Sequence, residues 1–310
     1  MSTLKQSVHD YLALRRSLGF KLRAAEDALA EFVVFAEQRG ITRITAAIAV
    51  EWALSRSSTR PGSAADRLRH VRGFARHHLA SDPATENPPV DLLPSRLRRR
   101  QPYLYSDDEV SRLLACSLNL PPADGLRPWT YHCFLGLLAA TGLRLGEAIR
   151  LDVGDVDLEQ GVLTIRQTKF GKSRLVPVDT STVAALDGYQ TRRKRVLRGR
   201  PQRRFFVSGK GTPLDPGSIH RTFYALLDQA AVHAPANAPR PRLHDLRHRF
   251  ALQALLRWYR AGDEVERRLP VLSTYLGHVC IENTYWYLSA CPELMGHALA
   301  RLEQRWEVRP

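Results

Sequence analysis

The chain's 310 residues are enough for two domains, each with its own core, and its 44% hydrophobic and 25% charged residues are ordinary for a globular protein. Its charge balance is not ordinary: 46 Lys and Arg against 31 Asp and Glu give +15, which calls for a polyanionic partner, with nucleic acid the commonest. Four cysteines (Cys116, Cys133, Cys280, Cys291) form no CxxC pair, no signal peptide opens the chain, and the most apolar stretch, FLGLLAATGL, is too short for a bilayer; the expectation is a cytoplasmic, nucleoid-associated protein with no membrane partner.

In chain order, LKQSVHDYLALRRSL, AAEDALAEFVVFAEQRG, TAAIAVEWALSR and SAADRLRHVRGFARHHLA place apolar residues at three- and four-residue spacing. They predict a helical bundle with basic outer faces over residues 1–84, with Gly40 closing the second helix and STRPGS preceding the last. SDPATENPPVDLLPSRLRRRQP follows. Pro88 and Pro89 forbid helix continuation, so residues 85–102 read as an extended basic linker. A second domain, 103–310, opens at YSDDEVSRLLACSL, where Ser106 and Glu109 form a capping box. A buried helix from Trp129 to Ala140 is capped by Gly142. GVLTIRQTKFGKSRLVPVD alternates on both sides of KFGK and predicts a β-hairpin with Lys169 and Lys172 at its turn. The remainder reads as helix, so the fold class is mainly α with a small β-sheet: a helical bundle followed by a mixed α+β domain.

Four segments carry the chemistry: the hairpin, ATGLRLGEAIRL, HDLRHRFA and LGHVCIENTYWYL, the last with His278 nine residues before Tyr287. Taken together and in this order they resemble the tyrosine recombinase, or phage integrase, family over nearly the whole chain. The resemblance implies a core-binding domain, a basic linker and a catalytic domain, and an active site of Arg144, Lys169, His244, Arg247, His278 and Tyr287. It also implies a metal- and ATP-independent DNA strand transferase with no cofactor.

Elementary chemistry fits each role. Arg144 and Arg247 offer forked donors, charged at any working pH, for the non-bridging oxygens of a phosphodiester whose transition state gathers charge. Tyr287 is the nucleophile; a phenol with a reference pKa of about 10 needs a base or a positive field. His244 could take its proton and His278 could donate to the phosphate, an assignment the residues leave open. Two helical residues advance about 200°, so Tyr285 and Tyr287 face nearly opposite ways, and the spacing from His278 selects Tyr287. Lys169, before SRLVPV, would protonate the departing deoxyribose 5′-oxygen, with Lys172 its rival. Glu147 would buttress the arginines.

The run RRKRVLRGRPQRR, with Arg192, Arg193, Lys194 and Arg195 at its head, is expected to grip the duplex backbone, and Arg249 adds a charge that would also meet DNA. In PELMGHALARLEQRW, Leu294, Met295, Ala298, Leu302 and Trp306 form a stripe that packs on its own domain or docks into a neighbouring protomer. The expected partners are double-stranded DNA and further copies of the chain, a tetramer on two DNA sites, with or without companion recombinases. The expected function is integration and excision of a mobile element through a 3′-phosphotyrosine intermediate. The alternatives are a chromosome-dimer resolving recombinase, a topoisomerase-like enzyme, and a non-cutting DNA-binding regulator on the same fold.

Overall fold

The computed structural model describes residues 3–56, 62–94, 101–166, 173–236, 238–287 and 293–296, with Leu299 and Glu303. The chain divides into two compact units, residues 1–100 and 101–310.

The first unit holds α1 (Leu4–Ser17), α2 (Arg23–Gln38), α3 (Ala46–Leu54) and α4 (Ser63–His78). Thr3 and Thr45 cap α1 and α3 by accepting from Gln6 N and Ile48 N, and Gly40, at φ 62°, turns the chain beyond α2. Phe32, Trp52 and Phe74 are fully buried, with Phe32 and Trp52 edge to face at 5.3 Å. The segment expected to be an extended linker from residue 85 onwards starts as part of this bundle. Glu86 accepts from the N-terminal amide of α3 (Ala46 N, 2.8 Å), Arg72 donates to Pro88 O (2.9 Å), and Leu93 packs on the core. A carboxylate at an orphan helix amide and a satisfied proline carbonyl explain why these residues stay on the bundle.

The second unit runs α5 (Asp107–Leu118), α6 (Arg127–Thr141), α7 (Leu145–Arg150), a 3₁₀ turn, β1 (Val156–Asp157), β2 (Val162–Ile165), β3 (Arg174–Pro177), α8 (Thr180–Val196), α9 (Pro216–Gln229), α10 (Leu243–Arg260), α11 (Val265–Leu276) and α12 (Glu282–Tyr285). The Ser106–Glu109 capping box opens α5, and Gly142 ends α6 at φ 63°. The strands form one antiparallel sheet in the order β1-β2-β3, with Leu163 opposite Val176 and Ile165 opposite Arg174. The turn carrying Lys169 and Lys172 lies outside the described residues.

Helix α6 is apolar on most of its circumference because α5, α8 and α10 all pack on it, and Phe134 meets Phe206 edge to face at 5.2 Å. Side chains buried this fully contribute about 1.5–3 kcal/mol each. A second apolar cluster joins α10 and α11 through Leu252, Leu255, Leu269, Leu272 and Leu276, and includes Tyr287 and Leu294. Of the C-terminal stripe, Leu294 is thus buried within its own unit while Met295 and Leu299 are exposed; Ala298, Leu302 and Trp306 lie outside the described residues. Among the described residues no helix is long and apolar enough to cross a membrane.

Candidate active site

The site grows from two chain reversals. At the first, Gly142 adopts the left-handed conformation where any Cβ would stand 2.7 Å from Phe250 Cδ1, so glycine is required. The reversal leaves Gly142 O to accept from Arg247 Nη1 at 2.7 Å and brings Arg144 to the N-terminus of α7. Arg144 N and Nη1 donate to the two oxygens of Glu147 at 3.0 and 2.8 Å, and its Nη2 donates to Gly277 O at 2.8 Å. At the second reversal Gly277, φ 66°, caps α11, and His278 N returns to Ser273 O at 2.9 Å.

Three arginines from three elements hold the carbonyls at this second turn. Arg174 Nε donates to Tyr275 O, Arg247 Nη2 to Leu276 O and Arg144 Nη2 to Gly277 O, at 2.7, 2.7 and 2.8 Å. These are orphan acceptors at the negative end of a helix, where cations are favoured. Arg247 is only 2% exposed. Burial pushes its pKa down to about 10, against the pull of Tyr287 in the other direction, so it stays charged at neutral pH. Burial works to raise the pKa of Glu147, but the hydrogen bonds and charge of Arg174, and then Arg144, overcome it and hold the group at about 2.

Tyr287 is 3% exposed, and its ring packs against His248 (5.3 Å between centroids), Trp286 (5.7 Å) and His278 (6.0 Å). It is near enough to Arg247 to favour that residue's charge. Tyr285, by contrast, is 48% exposed. The His278 ring is oriented by a 2.7 Å hydrogen bond between Nδ1 and the buried Thr284 hydroxyl. Burial, then Arg247 and Arg144, pushes its pKa down to about 3. His244 lies in the first turn of α10, its ring edge-on to His248 at 4.8 Å; desolvation by its surroundings, then Arg247, pushes its pKa down to about 4. Arg144, His244, Arg247, His278 and Tyr287 therefore come together in one place. Among the described residues, two of the five side-chain N–H donors of each arginine are engaged in hydrogen bonds.

A family model for the phage integrase family matches residues 104–293. The chain belongs to the phage integrase family. A putative integrase/recombinase, y4rB of Sinorhizobium fredii (strain NBRC 101917 / NGR234), is 50% identical over 100% of both chains. The tyrosine recombinase XerD of Mycobacterium tuberculosis (strain ATCC 25618 / H37Rv) is 33% identical over 73% of this chain and 68% of its own. Among solved structures, the Tn1549 transposon integrase in complex with transposon right end DNA superposes with a TM-score of 0.65 at 17% identity, covering 97% of this chain and 100% of that one. A lambda integrase tetramer bound to a Holliday junction gives 0.64 at 17%, covering 92% and 77%. At that identity what is shared is the fold. As a tyrosine recombinase the chain is an enzyme that cuts and rejoins DNA strands.

The expected DNA-gripping residues separate in the structure. Lys194 and Arg195 are exposed, and Arg192 stacks over Trp129 at 3.6 Å. Arg193 is not on the surface: with Leu186 and Tyr189 it lies on the buried stripe of α8, where its Nη2 donates to Gln202 O at 3.2 Å. Arg249 is likewise committed within the unit, tying α10 to the start of α5 through Tyr105 O (3.1 Å) and the Asp107 carboxylate. Lys172 lies outside the described residues.

Two residues at the site escape motif reading. Arg174 alternates with Leu175 on the inward face shared with Val176, and an inward arginine on a strand implies a buried acid; that is the signal that could have found it. His248 lies one helical turn beyond His244, buried, its Nδ1 without a hydrogen-bond partner among the described residues. Burial, then His244, Arg242, Arg247 and His278, pushes its pKa down to about 3. A histidine whose folded pKa lies below its unfolded value contributes stability above the unfolded pKa, lost as pH falls beneath it, because the unfolded chain then binds the extra proton. His248→Phe should therefore gain on the wild type by about 1.4 kcal/mol for each pH unit below about 6.5. Urea midpoints measured from pH 7 to pH 4 check this. Parallel pH profiles for the two proteins would refute it, and a constant offset from the larger ring leaves the slope difference intact.

Proposed function

We propose that this chain is a site-specific DNA recombinase in which Tyr287 attacks the scissile phosphate, forms a 3′-phosphotyrosine and releases a 5′-hydroxyl. One P–O bond forms as one breaks. The phenol proton passes to a neighbouring imidazole, and the departing 5′-oxygen takes a proton from Lys169. Attack by another strand's 5′-hydroxyl reverses each step, so the exchange conserves the phosphoester and needs no ATP. The observation that carries this reading is the convergence of Arg144 and Arg247 on one chain reversal, with the Tyr287 ring packed on His248 and His278 and near enough to Arg247 to favour its charge. Arg144, whose side chain is 29% exposed, would meet the phosphate first, with the buried charge of Arg247 behind it, and losing one such preorganised donor costs on the order of 3–4 kcal/mol of barrier.

His244 and His278, with pKa values of about 4 and about 3, are neutral at pH 7 and so are able to accept a proton. Arg144, His244 and His278 reach solvent, which leaves the side from which a phosphate would approach. Double-stranded DNA as partner is supported by the charge of +15 and by the exposed Lys194 and Arg195. Integration and excision of a mobile element is the favoured role: the relative identical at 50% over the whole chain is a putative integrase/recombinase. A tetramer on two DNA sites is the assembly a reciprocal exchange of four strands requires.

The test is a pool of duplexes with randomised sequence, nicked close to each candidate scissile phosphate so that the 5′-hydroxyl fragment diffuses away after cleavage. Wild-type protein should leave DNA bound through a denaturing gel, and sequencing of the trapped strands should converge on one site. Trapping should proceed in EDTA, because the fixed guanidinium charge does the work of stabilising the phosphate. Sequence-specific binding without trapped DNA would overturn strand cleavage in favour of a non-cutting regulator; trapping that EDTA abolishes and magnesium restores would overturn the metal-independent mechanism.

A further inference from the structure

We propose that Arg174 is a positioning residue for strand cleavage, holding Glu147 and the end of α11 so that Arg144 keeps an uncancelled positive charge facing the phosphate. The inference rests on the reading of the site given above.

Arg174 enters from β3, opposite the buried Ile165, and its side chain is only 9% exposed. The guanidinium forks onto both oxygens of Glu147, Nη1 to Oε1 at 3.2 Å and Nη2 to Oε2 at 2.9 Å, while Nε holds Tyr275 O at 2.7 Å. It also fills the space beside Gly277, where an added Cβ would come within 2.7 Å of its Nη1. One side chain thus links the sheet, the buried carboxylate and the turn that leads into His278.

Charge counting gives this arrangement a catalytic consequence. The Glu147 carboxylate receives four donors, two from Arg144 and two from Arg174. Two guanidinium groups and one carboxylate leave the trio at +1. Without Arg174 the Arg144–Glu147 pair sums to zero, and a carboxylate 2.8 Å from Arg144 Nη1 then competes directly with a phosphate for the same donors. The neighbouring Tyr275 carbonyl would also lose its partner, loosening the turn that carries Gly277 and His278.

The experiment uses the duplex that wild-type protein selects from the randomised pool, nicked as before, with either a normal scissile phosphate or a methylphosphonate, which carries no charge. With the normal phosphate, Arg174→Gln should slow strand cleavage at saturating DNA by about tenfold to a hundredfold, the range expected when a catalytic group is misplaced from a distance. Arg174→Lys, which restores the charge without the fork, should recover most of that loss. On the methylphosphonate, which presents no charge to neutralise, the Arg174→Gln defect should shrink to about twofold or less. A defect equal on both substrates would mean that Arg174 only supports folding and would overturn the proposal, as would Arg174→Gln cleaving at the wild-type rate. Failure of the wild type itself to cleave would overturn the reading of the site, and this proposal with it.

Discussion

Tyr287→Phe is expected to bind the selected duplex as the wild type does and to form no covalent adduct at all. The substitution removes one oxygen and leaves the ring, so the contacts with His248, Trp286 and His278 survive. Since Tyr287 is 3% exposed and part of the apolar cluster with Leu252 and Leu272, the retained ring keeps that packing, and urea titration checks that the variant is folded. What disappears is the oxygen proposed to bond to phosphorus, so an all-or-none effect is expected against the hundredfold to thousandfold losses typical of removing a stabilising donor. Tyr285→Phe is the control: its ring is 48% exposed and turned away, so trapping should be unchanged. The reverse result, trapping that survives Tyr287→Phe and is lost in Tyr285→Phe, would place the nucleophile two residues upstream. Mass spectrometry of the trapped peptide reads the answer directly. Because Tyr287 rests under His248 and Trp286, DNA must also uncover its hydroxyl, and protection of that ring from chemical modification should fall on binding the selected duplex.

What the sequence reveals follows the range of each interaction. The capping box of Ser106 and Glu109, the glycine ending α6 and the two strands flanking the hairpin are local, and local chemistry writes itself into adjacent residues. The five residues that the fold brings together are marked out by their spacing within short motifs, even though the motifs lie far apart. Arg174 is not, since its carboxylate partner is 27 residues away and its carbonyl partner 101. Only the fold makes that a site. Arg193 shows a different failure. Its position four residues after Tyr189 and seven after Leu186 marks it as inward-facing, but the run of basic neighbours hides the stripe. Arg249 is misread for the same reason as Arg174: Tyr105, whose carbonyl it holds, is 144 residues away. The early linker fails because proline excludes helix without excluding packing, and Pro88 still offers the carbonyl that Arg72 takes.

Arg247→Gln should combine two losses that can be measured apart. In the fold, Arg247 satisfies two carbonyls that have turned inward, Gly142 O and Leu276 O, at 2.7 Å each. A glutamine is shorter and offers one amide nitrogen, so at least one of these acceptors is left buried and unpaired, costing about 1–3 kcal/mol. Relief of the desolvated charge offsets part of this, which the depression of its pKa to about 10 by burial already signals. In catalysis the loss is that of a preorganised cation, about a hundredfold to a thousandfold in the rate of adduct formation. Rates should therefore be compared at saturating DNA and at a temperature where urea titration shows the variant fully folded. Arg247→Lys keeps the charge but can reach only one of the two carbonyls with a single donor centre, so its stability should stay low while part of the rate returns. If Arg247→Gln were destabilised yet formed adduct at the wild-type rate per folded molecule, this arginine would be a structural brace between two turns and the phosphate clamp would have to be assigned elsewhere. If both properties fall, with the rate recovering in Arg247→Lys, the same guanidinium joins the chain reversals and holds the phosphate. Clamping the two turns with the residue that binds the anion is then what fixes the distance between Arg144 and His278 during the reaction.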